Sequence, residues 1–175
     1  MTLTYDICLA ILSFCIAVFA AYTALGLAGR IMAARNLTRL FWLAGGAAAM
    51  GIGIWSMHFI AMLAYQFPVP VFYDLPIVIL SLMVAIAASG GALFITSYRE
   101  TIFNLVIGGI LLGSGVGAMH YTGMSAMRLE GTADYNLLFI IASILFALCA
   151  SIIALWLAFR IKELQKINYP ICLLN

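Results

Sequence analysis

The two histidines of the chain lie in stretches that align without gaps. These are Gly51 to Ala64, "GIGIWSMHFIAMLA", and Gly113 to Ala126, "GSGVGAMHYTGMSA", at an offset of 62 residues. Met57, His58 and Met62 of the first copy match Met119, His120 and Met124 of the second. Gly51 and Gly53 match Gly113 and Gly115, Ala64 matches Ala126, and the aromatic Phe59 matches Tyr121. Both histidines and four of the nine methionines stand at matched positions, so an internal repeat explains the pattern better than chance.

Imidazole and thioether are both metal ligands. Thioether is soft and selects Cu(I), whereas imidazole suits copper, zinc and iron. Hard cations want carboxylates, and neither stretch contains one. Neutral ligands do not offset the charge of an ion in lipid, so a monovalent ion costs less to bury than a divalent one. The candidate ligands are therefore Met57, His58, Met62, Met119, His120 and Met124, with Cu(I) the favoured ion. On a helix, positions four apart share a face. His58 then aligns with Met62 and His120 with Met124, while Met57 and Met119 point about 100° away and either flank a site or pack.

The elements that carry these residues follow from composition. Of 175 residues, 66% are apolar and 8% charged, and mean hydropathy is +1.18. A soluble domain carries about a quarter charged residues, so the chain reads as an all-α polytopic membrane protein whose surface is covered by the lipid bilayer. A membrane helix needs about 20 apolar residues. Five stretches qualify, at about 7–28, 40–65, 75–97, 102–127 and 135–159. Asp6 and the absence of Lys or Arg before the first stretch argue against a secretory signal.

Arg30, Arg35, Arg39, Arg99, Arg160, Lys162 and Lys166 all fall on one side of this arrangement. The positive-inside rule makes that side cytoplasmic, with the N-terminus outside and the C-terminus inside. The motif copies end the two outward-running spans, so the repeating unit is a helical hairpin. His58 lies about seven residues, or roughly 10 Å, inside the outer end of its span. An ionisable group at that depth faces a cavity or a partner and marks a functional site. Gly109, Gly113 and Gly117, with Ala47 and Gly51 in the other copy, form stripes of small residues leading to the histidines. Such stripes let membrane helices approach closely, and the simplest assembly sets span two beside span four with the histidines at similar depth.

Other chemistries find little support. A net charge of +2 gives no footing for nucleic acid. Cys8, Cys15, Cys149 and Cys172 form no CxxC pair. No carboxylate pair, nucleophile triad or phosphate loop argues for an enzyme, and Arg128, Glu130 and Asp134 read as a solvated outer turn. The segment "YQFPVPVFYDLP" reads as an interfacial turn or rigid outer cap.

The second copy spells Met119-His120-Tyr121-Thr122 and continues with Gly123-Met124. Together with the glycines ahead of it and the related "MHFIAM" of the first copy, this resembles the MHYT domain, a bacterial integral-membrane sensor module. The first copy departs in carrying Ala61 where the second has Gly123. The resemblance covers essentially residues 1–175 as a single domain. It implies a multi-pass protein of the bacterial inner membrane, with copper held by motif Met and His near the outer face. It further implies sensing of oxygen, CO, NO or the metal itself, and output through cyclic di-GMP enzymes or histidine kinases. Family members usually carry three motif copies, whereas this chain shows two and no output domain. It is therefore expected to be a partial form that signals through a separate cytoplasmic protein. Three other readings fit the same residues: a copper-handling or transport protein, a haem protein with His58 and His120 as axial ligands, and a structural membrane fragment.

Overall fold

The structure, a computed structural model, describes residues 4–66, 71–98, 101–128 and 137–168. Its body is five helices: α1 (Ile7–Ala33), α2 (Asn36–Leu63), α3 (Leu75–Tyr98), α4 (Ile102–Ser125) and α5 (Leu137–Asn168). Each contains a stretch long and apolar enough to cross a membrane, in accord with the five apolar stretches of the sequence. The helices run past the apolar limits at the basic end because arginine stems can lie along apolar surface while their heads find polar or aromatic partners. Arg30 sits over the Trp42 ring at 4.8 Å, and Arg39 Nη2 donates to the Ser97 carbonyl at 3.0 Å. The turn from α1 to α2 is short, and Asn36 takes φ 52°, a left-handed conformation that asparagine tolerates better than most residues.

Among the described residues, four two-residue strands clasp the opposite end. β1 (Thr4–Tyr5) pairs antiparallel with β2 (Tyr65–Gln66), and β3 (Phe72–Tyr73) pairs with β4 (Met127–Arg128). These ribbons were not expected, because two residues are too few to show the alternation that marks a strand. Each closes one helical hairpin. Asp6 N–H donates to the Ala64 carbonyl and Asp74 N–H to the Ala126 carbonyl, both at 2.9 Å, so the matched alanines that end the motif have matched work. Asp6 also caps α1, its carboxylate accepting from the Cys8 and Leu9 N–H groups. Asp74 instead receives Arg128 at 2.6 Å, drawing Arg128 onto the clasp. Glu130 and Asp134 lie outside the described residues, as does Cys172.

Asp6→Ala should lower stability by about 1 kcal/mol through loss of the cap, read as a shifted unfolding midpoint in detergent. Arg128→Ala should shift it far less, since Arg128 is 72% exposed and an exposed pair contributes little.

Helix packing follows the repeat. α1 packs on α2, α3 lies against both α2 and α4, and α5 packs on α4. A Cβ added at Gly53 would overlap the Ala20 methyl of α1, and one at the matched Gly115 would overlap the Ala88 methyl of α3. On the other side, a Cβ at Gly51 would lie 2.6 Å from Ile86 Cα of α3, and one at Gly113 would lie 2.7 Å from Leu148 Cα of α5. Ile86 and Leu148 are themselves 62 residues apart. Thus α5 stands to α4 as α3 stands to α2.

The small-residue stripes therefore serve other neighbours than the sequence suggested. Gly109 and Gly113 seat α4 on α5, and Gly51 seats α2 on α3. The approach of α2 to α4 comes at their clasped ends through Gly123, where an added Cβ would lie 3.1 Å from His58 Nε2 and 3.3 Å from the Phe59 ring. This explains the Ala61/Gly123 departure between copies. Gly123 is covered by the first copy's His58 and Phe59, while Ala61 borders open space.

Candidate metal centre

The contact of α2 with α4 brings the two histidines together. His58 Nδ1 and His120 Nδ1 are 3.3 Å apart, and the rings meet edge to face with centroids 4.7 Å apart. In this state one Nδ1 carries the proton and the other accepts it. The two motifs hold their rings alike: His58 meets Phe59 at 5.3 Å and 79°, and His120 meets Tyr121 at 5.0 Å and 81°. His58 Nε2 is buried without a hydrogen-bond partner among the described residues. Behind His58, Ser13 of α1 donates to the Met57 carbonyl at 2.7 Å, tying the motif of α2 to its own hairpin.

A cavity of about 250 Å³ opens beside the pair, bordered by α2, α4 and α5. Met57 and His58 line it from α2, and Met119 and His120 line it from α4. Met119 is 1% exposed. Met62 and Met124 are half-buried and do not border this cavity. Of the six candidate ligands, the fold thus gathers four around one space, and the methionines gathered are those adjacent to the histidines.

The arrangement fits a small soft ion. Two nitrogens bound to one four-coordinate ion at about 2.0 Å each stand about 3.3 Å apart, close to the observed separation. Two neutral imidazoles beside two thioethers form a donor set suited to copper. No group of three or more His, Cys, Asp or Glu gathers among the described residues, so a hard divalent site lacks its ligands there.

Ser143 and Ala147, which sequence reasoning missed, also line the cavity, as do Gly117 and Tyr121, which it noted but did not count as site residues. Tyr121 OH and Ser143 Oγ are hydrogen-bonded at 2.6 Å, linking α4 to α5. The signal was present in the repeat alignment, where Gly117 faces Trp55 across the copies.

Comparison with known proteins agrees with this architecture. The family model described as the bacterial signalling protein N-terminal repeat, MHYT, matches residues 51–109 and 113–167, beginning each time at a matched glycine. The bifunctional diguanylate cyclase/cyclic di-GMP phosphodiesterase MucR of Pseudomonas aeruginosa is 46% identical over 91% of this chain and 24% of its own length. The cyclic di-GMP phosphodiesterase NbdA of the same organism is 40% identical over 87% of this chain and 19% of its own. Signaling protein YkoW of Bacillus subtilis is 36% identical over 89% and 20%. The chain therefore spans about a quarter or less of the curated relatives it matches. No solved structure matches it significantly. With two family repeats, five apolar helices and a histidine contributed by each repeat to one contact, the chain belongs to the MHYT family of bacterial signalling-protein membrane repeats.

Proposed function

We propose that the chain is the membrane sensor module of a bacterial signalling protein, with a copper ion as its receptor group. The observation that carries the reading is the 3.3 Å approach of His58 Nδ1 to His120 Nδ1 beside a cavity bordered by Met57 and Met119. Those four residues would hold the ion, which when bound supplies a soft centre able to take oxygen, CO or NO. The protein's part is to desolvate the site, fix the two rings and leave space beside them. The contact and ring geometry favours copper over haem, because the imidazole centroids lie 4.7 Å apart with their planes at 65°, which leaves no place for a porphyrin plane between them.

Placement of the basic residues supports an extracytoplasmic position for the clasped, histidine-bearing end. A shift of α2 against α4 at the site would travel along both helices to their cytoplasmic ends, where Arg39 already joins α2 to α3. The names of two relatives make a cyclic di-GMP enzyme the output we favour for this module. Elemental analysis of the purified chain after loading with Cu(I) tests the reading. About one copper per chain, retained through desalting, supports it; copper at background level overturns it.

A further inference from the structure

The two motif copies differ most where the first has Trp55 and the second Gly117. In the first copy the Trp55 ring lies 4.7 Å from Phe59, and its N–H donates to Ser81 Oγ at 3.0 Å. Ser81 spends its own proton on the Val78 carbonyl at 2.7 Å. Moving every partner 62 residues along gives Gly117, Tyr121, Ser143 and Ile140. The frame is kept: Ser143 donates to the Ile140 carbonyl at 2.8 Å. The ring is not kept. Nothing lies within 4 Å of a Cβ placed on Gly117, and the space there is the cavity of about 250 Å³. The lone pair of Ser143 that would take an indole N–H is met instead by the Tyr121 hydroxyl.

We propose that this cavity is a binding site for a flat bicyclic aromatic molecule drawn from the bilayer, seated where the repeat's own indole sits in the first copy. Size agrees. An apolar cavity of about 150 Å³ takes up benzene, and this one is larger by room for a second ring. The lining agrees too: Ala61, Val116, Ile144 and Ala147 are apolar, while Tyr121, Ser143 and His120 present hydrogen-bonding edges. Access is lateral, because Ser143 is exposed on the apolar outer face of α5. A ring with an N–H edge would displace Tyr121 from Ser143, and a ring with a carbonyl edge would accept from the Tyr121 hydroxyl. Either occupant lies against His120, so it changes the surroundings of the histidine pair. The site stands on the cavity and the repeat, independently of the copper reading.

The test uses the full chain in lipid nanodiscs, with indole as the N–H probe and menadione as the carbonyl probe. Binding is followed by equilibrium dialysis against empty nanodiscs. Saturable binding of either probe at one per chain is expected, and its identity tells which edge the site reads. Gly117→Trp should fill the cavity and reduce that binding at least tenfold. Ala147→Phe should do the same from α5 and serves if the first variant fails to fold. Trp55→Gly should open the matching space and raise the count towards two. Failure of both probes to saturate, or binding unchanged in the folded filling variant, overturns the proposal whatever the copper measurement gives.

Discussion

Copper bound per chain is expected to fall to background in His58→Ala/His120→Ala, and each single substitution should weaken binding by more than about 100-fold. Loss of a group that merely orients a ligand costs 10- to 100-fold in metal affinity, and here a ligand itself is removed. The two Nδ1 atoms face each other at 3.3 Å, so neither ring can replace the other from its own side of the contact. The methionines give a sharper comparison. Met57→Leu/Met119→Leu keeps the apolar volume beside the pair but removes the soft donors, and should lower Cu(I) affinity at least tenfold with little effect on folding. Met62→Leu/Met124→Leu should leave copper binding unchanged, since neither side chain borders the cavity. Equal copper in the parent chain and the double histidine variant would reject the centre. Equal losses in the two methionine pairs would restore the four-residue spacing as the ligand rule.

The sequence carried most of the architecture because bilayer physics leaves few choices. Apolar runs of helical length must satisfy their backbone internally, so five runs became five helices. The 62-residue offset put His58 and His120 at equivalent positions on equivalent helices, and the contact of those positions is what the fold delivers. Details that rest on azimuth were less legible. A face argument made Met62 and Met124 companions of the histidines, but which face meets which neighbour depends on all the helices at once. Gly51 and Gly113 each turn towards the helix that follows their own, and Gly53 and Gly115 towards the helix before. Residues 51–53 and 113–115 thus encode a rotation between neighbours that a single-helix pattern cannot express. The clasps were invisible for another reason. Their information is in backbone bonds from Asp6 to Ala64 and from Asp74 to Ala126, and only the alanines belong to the gap-free alignment. Gly117 was legible in that alignment as a mismatch with Trp55, but its meaning needed Ser81 and Ser143 on other helices.

Gly113→Leu is expected to be among the most damaging single substitutions in the helix packing. The atoms that an added Cβ would meet are Leu148 Cα at 2.7 Å, the Ala147 carbonyl oxygen at 2.9 Å and Leu148 N at 3.0 Å, all of them backbone. No rotamer change relieves such a contact, so α4 and α5 must separate. Overpacking costs typically 1–3 kcal/mol, and a rigid backbone partner puts this case at the upper end, about 3 kcal/mol. In the bilayer, apolar surface uncovered by separation is taken up by lipid tails, so the loss is one of packing. For a chain of this size the shift in unfolding midpoint is on the order of 10 °C. Gly45→Leu supplies the comparison, because nothing lies within 4 Å of a Cβ there, and its midpoint should stay within about 2 °C of the parent chain. The effect on the site separates the two sides of the cavity. α5 carries Ser143 and Ala147, so its displacement should break the 2.6 Å bond to Tyr121 and abolish binding of a flat ring. His58 and His120 are held by α2 and α4 through Gly123, so copper binding should survive. A Gly113→Leu protein with an unmoved midpoint would mean that α4 and α5 are not held at backbone contact. One that loses copper along with stability would mean that α5 supports the histidine contact as well as the cavity wall.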